Sequence, residues 1–280
     1  AVFRKKNLPI EFLVFDIDSQ NNLQNALKAL EEDPSFIGAA VTVPYKEKVI
    51  SYLDAIDATG KCGAVNCIYR NASGKFSGMN TDGLGAIGSL KEHRDFQKLI
   101  RTQNPFNVLI WGAGGVAKAI AVSLLCENEF MISKLTVALR SHNRKTAWNN
   151  IASESFIQNR LKVELCHNII QYPEKYDLII QCTPVGSSLS QLHNFSPFGD
   201  LSCLESLATQ RAVFFDVNYQ PSCSLAMSHW KEIRESSPLN GLAMNRLQAV
   251  IAFQQVLKGV DWLNLESLSQ QEISFIMKEC

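Results

Sequence analysis

Apolar positions recur along this chain in two rhythms, and the switching between them predicts its elements. From Glu11 to Ile17 the run EFLVFDI predicts a strand. Ser19 then predicts a helix N-cap, followed by Leu23, Ala26, Leu27 and Leu30 at helical spacing until Pro34 ends the pattern. A second strand is predicted from Phe36 to Val43, and beyond Pro44 a helical stretch carries Val49, Ile50 and Leu53. Strand, helix, strand and helix in that order predict a parallel α/β sheet. Residues 64–79 change character, since two short strand-like pieces flank the turn Asn71-Ala72-Ser73-Gly74, which predicts a hairpin forming an antiparallel edge.

After Asp82-Gly83 a helical pattern runs to about His93, the candidate crossover between two domains, and a polar stretch from Arg101 to Pro105 follows. The second half repeats strand and helix. Strands are expected at 107–112, 134–140, 161–166, 177–182 and 211–217, with helices at 114–127 and 142–151, the outline of a doubly wound sheet. From Gly241 the chain turns helical again through Leu242, Leu247, Val250, Ile251 and Val256, then ends in a polar amphipathic stretch. Such a C-terminal helix is expected to return to the first domain.

The sharpest local signal is VLIWGAGGVAKAI at 108–120, an apolar strand that enters a glycine turn and then a helix. In the pattern G-x-G-x-x-G/A, Gly112 permits the tight turn, Gly114 lets backbone approach a pyrophosphate, and Ala117 keeps helix and strand close. The helix start then offers unpaired N–H groups to the phosphates. Gly112, Ala113, Gly114, Gly115 and Val116 are therefore candidate cofactor contacts.

Composition narrows the classes. With 27 basic and 27 acidic residues among 280, the net charge is zero, so no global field draws the chain to nucleic acid or to an anionic membrane surface. The longest apolar region, 108–126, is broken by the glycine turn and Lys118 and does not predict a membrane span, and no secretory pattern is evident. Eight cysteines scattered without a C-x-x-C pair are expected to be reduced core residues of a cytoplasmic protein, and no metal site is expected.

Four further motifs, Val41-Thr42-Val43-Pro44-Tyr45-Lys46, Ala64-Val65-Asn66, Asn80-Thr81-Asp82-Gly83 and Gly241-Leu242 with Gln248-Ala249, stand in fixed order around the glycine turn, with Cys182-Thr183-Pro184-Val185-Gly186 and Asp216-Val217-Asn218-Tyr219-Gln220-Pro221 between. In this order they resemble the shikimate dehydrogenase family across almost the whole length. The resemblance implies two domains: an N-terminal α/β substrate domain, residues 1–82 with 242–280, and a Rossmann-like doubly wound NADP-binding domain, residues 83–241. It also implies that Lys46 and Asp82 form the catalytic pair. Thr42, Asn66, Thr81, Tyr219 and Gln248 would touch a polyhydroxylated substrate, and Thr183, Val217 and Gly241 the cofactor. The chemistry agrees, because hydride delivered to a ketone leaves an alkoxide, and a positioned lysine supplies both charge and a proton to it. Taken singly, each residue also has a plainer reading: Lys46 as a solvated lysine, Asp82 as a helix cap, Asn66 as a turn residue, Tyr219 as a core-edge aromatic and Gln248 as a solvated helix position.

At the end of the strand 134–140 no carboxylate is present to take a ribose 2′-hydroxyl, whereas Arg140, Ser141 and Arg144 are, which favours NADP over NAD. Leu139 departs from the family's asparagine and Ser141 from its threonine. The family's opening strand and Ser-x-Ser pair, whose hydroxyls hold the substrate carboxylate, are not among these residues, and residues missing from the start are expected rather than a redesigned site. The expected activity is reversible NADP-linked reduction of 3-dehydroshikimate to shikimate by a monomer or homodimer. A quinate/shikimate dehydrogenase using NAD or NADP and a non-catalytic nucleotide-binding homologue remain as alternatives.

Overall fold

The computed structural model describes residues 8–152, 157 and 159–258. These form two compact units, 8–81 with 246–258 and 82–245. The polar stretch expected at the C-terminus lies outside the described residues.

In the first unit, helix α1 (Gln20–Glu32) begins where Ser19 accepts a hydrogen bond from the Asn22 amide at 3.2 Å, and it buries Leu23 and Leu27. Strands β1 (Gly38–Ala40), β2 (Ala55–Ile56), β3 (Cys67–Arg70) and β4 (Phe76–Met79) make a sheet of order β1-β3-β4-β2. The hairpin forms as its turn residues dictate: the Asn71 side-chain oxygen accepts from the Ser73 and Lys75 amides, and Gly74 takes φ +76°. It occupies the middle of the sheet, however, and not an edge. The parallel pairing expected outside the hairpin also holds only in part, because β1 runs antiparallel to β3, and only β2 runs parallel to its neighbour β4. Parallel neighbours need a long crossover, usually a helix, and between β1 and β3 the chain makes no α-helix but only β2 and two 3-10 turns, Lys48–Tyr52, whose Val49 is fully buried, and Gly60–Cys62.

The strand expected at 11–17 is absent: the segment is irregular, with Phe12 and Val14 exposed as fully as Leu13 and Phe15. A strand persists only through ladder bonds to a neighbour, and no described strand pairs with this one. The predicted strand 36–43 shortens to β1, flanked by one further backbone bond on each side, from the Arg70 amide to the Ile37 carbonyl and from the Val41 amide to the Asn66 carbonyl.

The second unit carries α2 (Asp82–Glu92), α3 (Arg94–Arg101), β5 (Phe106–Trp111), α4 (Gly115–Cys126), β6 (Ile132–Leu139), α5 (Asn149–Ala152), β7 (Leu161–Leu165), α6 (Cys166–Gln171), β8 (Tyr176–Gln181), α7 (Leu201–Leu207), β9 (Ala208–Asp216), α8 (Leu225–Ile233) and β10 (Leu239–Asn240). Its six strands are all parallel, in the order β7-β6-β5-β8-β9-β10. Counted within the sheet this is 3-2-1-4-5-6, the doubly wound order of dinucleotide-binding sheets. Val108 and Ile110 face a core shared with α2 and α4, while Leu109 and Trp111 face a second one with α7 and α8. Burial on both faces explains why the strands read as unbroken apolar runs.

Helix α3, not anticipated in the sequence, is held by buried Phe96 and Leu99. The helix expected at 142–151 breaks into two 3-10 turns, His142–Arg144 and Thr146–Trp148, before the single turn of α5. Among the seven described cysteines, only Cys62 and Cys67 are buried, Cys126 is exposed and four others are half-buried; Cys280 lies outside the described residues. Helix α9 (Leu242–Lys258) starts in the second unit and from Arg246 belongs to the first. There a Cβ on Gly38 would come within 2.6 Å of Val256, so strand and helix are in close contact.

Candidate functional site

At the carboxyl end of β5, Gly112 holds φ +118°, and a Cβ there would stand 3.0 Å from Thr183 Cγ2 and 3.1 Å from the Cys182 carbonyl carbon. Only glycine fits this turn without strain. Gly114 differs: it is the N-cap of α4 at φ −81°, makes no side-chain cap, and has open space where a Cβ would project. The first amides of α4, from Gly115 and Val116 on, thus lack a side-chain cap acceptor in an open notch, which is the donor set that phosphate oxygens require. Ala117 is fully buried against the sheet, and the Ala113 carbonyl accepts from the Trp148 indole at 3.4 Å. Beyond β6, Arg140, Ser141 and Arg144 are all exposed. These residues fit a phosphorylated dinucleotide: uncapped amides for the pyrophosphate and guanidinium groups for a further phosphate.

The loops after β8, β9 and β10 carry Thr183, Val217 and Gly241. Gly241 is buried, and any Cβ on it would overlap the Val217 carbonyl. Tyr219 lies on the β9 loop and is exposed. Asp216, fully buried at the end of β9, accepts from Ser224 Oγ at 2.6 Å and from the Asn218 amide at 3.0 Å. Burial pushes its carboxyl up to about 6, against the lowering effect of those bonds. Asp82 is buried at the first turn of α2, where a carboxylate complements the positive helix end. Gly83 next to it lets α2 approach α4, since its Cβ would meet the Ala119 carbonyl oxygen at 2.5 Å.

In the first unit, Asn66, Thr81 and Gln248 come together from three separate segments. Asn66 Nδ2 donates to Thr81 Oγ1 at 3.0 Å and to Gln248 Oε1 at 3.2 Å; Asn66 Oδ1 accepts from the Thr81 amide at 2.8 Å; Thr81 Oγ1 lies 3.0 Å from Gln248 Oε1. Asn66 and Thr81 are buried and Gln248 is half-buried. The Asn66 backbone is pinned on both sides, donating to the Met79 carbonyl and accepting from Val41. Lys46, half-buried in the turn beyond β1, is one strut away, for its carbonyl accepts from the Val65 amide at 2.7 Å. Thr42 is exposed, and its carbonyl closes that turn by accepting from Tyr45.

Two supporting groups escaped the sequence reading. Thr59 Oγ1 accepts from the Asn80 amide at 2.8 Å while donating to Asp57 at 2.6 Å, and Asn80 Nδ2 donates to the Ala64 carbonyl at 3.0 Å. This brace fixes both segments that deliver Asn66 and Thr81. The D-x-T spacing was the available signal. Burial, with Asp57 nearby, pushes the Cys67 thiol up to about 12, which keeps it protonated.

A doubly wound sheet with an open glycine-rich helix start, and a separate α/β unit with a buried polar cluster, define a two-unit protein of the dinucleotide-binding class. The family model described as the shikimate dehydrogenase substrate binding domain matches residues 1–68. The shikimate dehydrogenase (NADP(+)) of Methanococcus vannielii is 33% identical over 247 residues, 87% of this chain and 79% of the relative. That of Caldanaerobacter subterraneus is 32% identical over 255 residues, 90% and 82% of the two chains. A solved shikimate dehydrogenase in complex with NADP+ superposes with a TM-score of 0.74 at 26% identity, covering 98% of this chain and 88% of that one. The chain belongs to the shikimate dehydrogenase family.

Proposed function

We propose that this chain catalyses the reversible NADP-linked reduction of 3-dehydroshikimate to shikimate. Residues 83–241 serve as the dinucleotide domain and residues 1–82 with 242–280 as the substrate domain. The observation that carries this reading is the bonded cluster of Asn66, Thr81 and Gln248 beside the Lys46 turn. Buried amides and hydroxyls cost about 1–3 kcal/mol each when unsatisfied, and here their mutual bonds hold them in place, a pre-set group of donors and acceptors of the kind a polyhydroxylated ligand needs.

Gly112, Gly114, Gly115 and Val116 would hold the pyrophosphate by backbone, Arg140, Ser141 and Arg144 the 2′-phosphate, and Ala113, Thr183, Val217 and Gly241 the rest. When bound, the reduced cofactor supplies the hydride that converts the ketone carbon to an alkoxide carbon. The Lys46 ammonium stabilises the growing negative charge on the carbonyl oxygen and gives that oxygen its proton. Asp82, the other member of the catalytic pair, accepts a hydrogen bond from a substrate hydroxyl. Asn66, Thr81 and Gln248 offer amide and hydroxyl groups to the remaining hydroxyls, with Thr42 and Tyr219 completing the set.

All these residues come from one chain, so activity is expected of a monomer and of a homodimer alike. Among the described residues no helix is long and apolar enough to cross a membrane. The seven described cysteines are free thiols, which supports a cytoplasmic setting. The test is an absorbance assay at the nicotinamide band with shikimate and with quinate, each paired with NADP+ and NAD+. Shikimate with NADP+ should be fastest, and Lys46→Ala should lower that rate by at least about a hundredfold without changing the circular dichroism spectrum. No turnover in any of the four pairings, or full turnover by the lysine variant, refutes the reading.

A further inference from the structure

The loops after β8, β9 and β10 are tied together by side chains the reaction itself does not use. Gln181, fully buried at the last position of β8, folds back over its own loop: Nε2 donates to the Thr183 carbonyl at 3.0 Å and to the Val185 carbonyl at 2.9 Å, while Oε1 accepts from the Thr183 amide at 2.5 Å. Asn218, from the neighbouring β9 loop, donates through Nδ2 to the same two carbonyls, at 3.0 and 3.2 Å. Its backbone serves two other partners. The amide donates to Asp216, which also holds Ser224, the N-cap of α8, and the carbonyl accepts from Gly241 at 3.0 Å after β10. Through three polar groups, the side-chain Nδ2, the backbone amide and the backbone carbonyl, Asn218 therefore meets all three loops.

We propose that Asn218, braced by Gln181, is a positioning residue that sets the three loops as one rigid cradle for the nicotinamide half of the dinucleotide. The proposal rests on the reading that Thr183, Val217 and Gly241 contact that cofactor. A strand-end loop left to itself samples many conformations, and ordering it on binding would weaken affinity and blur the placement of the reactive ring. With the Thr183 and Val185 carbonyls each accepting from two side-chain amides, that cost is met in folding. The adenosine end, at Gly114 and Arg140, sits on other loops and shares none of these bonds.

The experiment compares wild type and Asn218→Ala in titrations with NADP+ and with adenosine 2′,5′-bisphosphate, a probe of the adenosine end alone, together with steady-state kinetics. Losing two donors should weaken NADP+ binding about tenfold and lower kcat, with the bisphosphate affinity and the KM for shikimate unchanged. Should the alanine variant fail to fold, Asn218→Ser, which keeps a shorter donor, is read on the same measurements and should show a smaller loss in the same pattern. Wild-type NADP+ affinity and kcat in the folded variant overturn the proposal, as does an equal loss for NADP+ and bisphosphate. If wild type binds neither probe, the dinucleotide reading itself fails first, an outcome distinct from the other two.

Discussion

Two glycines two residues apart should respond to the same substitution in opposite ways. At Gly112, φ is +118° and the new methyl would press on Thr183 Cγ2 at 3.0 Å and the Cys182 backbone at 3.1 Å. Forcing an L-residue into that backbone costs about 1–3 kcal/mol, and crowding against backbone that cannot swing aside adds about 1–3 more. Gly112→Ala should therefore lose roughly 3 kcal/mol, a large share of the total of about 5–15 for a typical domain, and its melting temperature should fall by roughly 6–12 °C. At Gly114, φ is −81° and nothing lies within 4 Å of the added methyl. Gly114→Ala should lose less than about 1 kcal/mol, the modest preference of an N-cap for glycine over alanine.

Cofactor binding should rank the two differently. The space open at Gly114 is the space a phosphate needs to reach the uncapped amides of α4, and a methyl there blocks it. Losing one charge-assisted N–H to phosphate bond costs about 1.5–3 kcal/mol, or roughly 10- to 150-fold in Kd. The assays are thermal unfolding of the ligand-free proteins by circular dichroism and titration calorimetry with NADP+. Near-normal melting with greatly weakened binding is expected of Gly114→Ala. An NADP+ affinity within about twofold of wild type in that variant would falsify the phosphate-notch reasoning, and an unshifted melt for Gly112→Ala would refute the strain argument.

Three further outcomes follow from named contacts. Arg140→Ala should cut the NADP to NAD ratio of kcat/KM by about ten- to a hundredfold, because a charge-assisted phosphate contact is lost while the NAD reaction is untouched; an unchanged ratio removes Arg140 from cofactor choice. Asp216 has a folded-state carboxyl at about 6 against an ordinary 3.8, so the folded protein binds the extra proton between those values and wild-type stability should fall as pH rises from about 4 through 6. The shift of about two units is worth about 3 kcal/mol relative to the non-titrating Asp216→Asn, and parallel urea-melt stabilities of the two proteins at pH 4, 5, 6 and 7 would contradict it. Arg70 reaches the carbonyls of Leu30, Glu31, Asp33, Phe36 and Gly74, so Arg70→Lys, which lacks the fork, should lose about 2–4 kcal/mol in urea denaturation; a loss under about 0.5 kcal/mol would show that the hook is idle.

The second unit was the more legible of the two because its strands are buried on both faces and its turns carry obligate residues. Val108 to Trp111 had to be a central strand, and Gly112 and Gly114 marked where it ended and why. The first unit misled for a related reason. EFLVFDI has a strand's composition, but pairing is a property of two segments, and the run contains no information about whether a neighbour exists. Likewise the parallel sheet was inferred from an alternation that included a helix after Pro44; the chain forms only a 3-10 turn there, and without a crossover helix β1 pairs antiparallel with β3.

The polar residues divide on the same line. Asn66, Thr81 and Gln248 were named through family order, and their meeting in one bonded cluster is a tertiary fact that no local pattern encodes, since 182 positions separate Asn66 from Gln248. Gln181 and Asn218 carry no local signal of their own, since one closes a predicted strand and the other stands inside the Asp216–Pro221 motif without a role. What makes them different is competition for acceptors: the Thr183 and Val185 carbonyls lie beyond a strand end where water would otherwise bond them, and two side-chain amides, one from the end of β8 and one from the β9 loop, take those places at once. A group that replaces water at a backbone carbonyl leaves its signature in the contacts of its neighbour and not in its own sequence environment. For that reason the residues that aim a cofactor are harder to read from a chain than the residues that touch it.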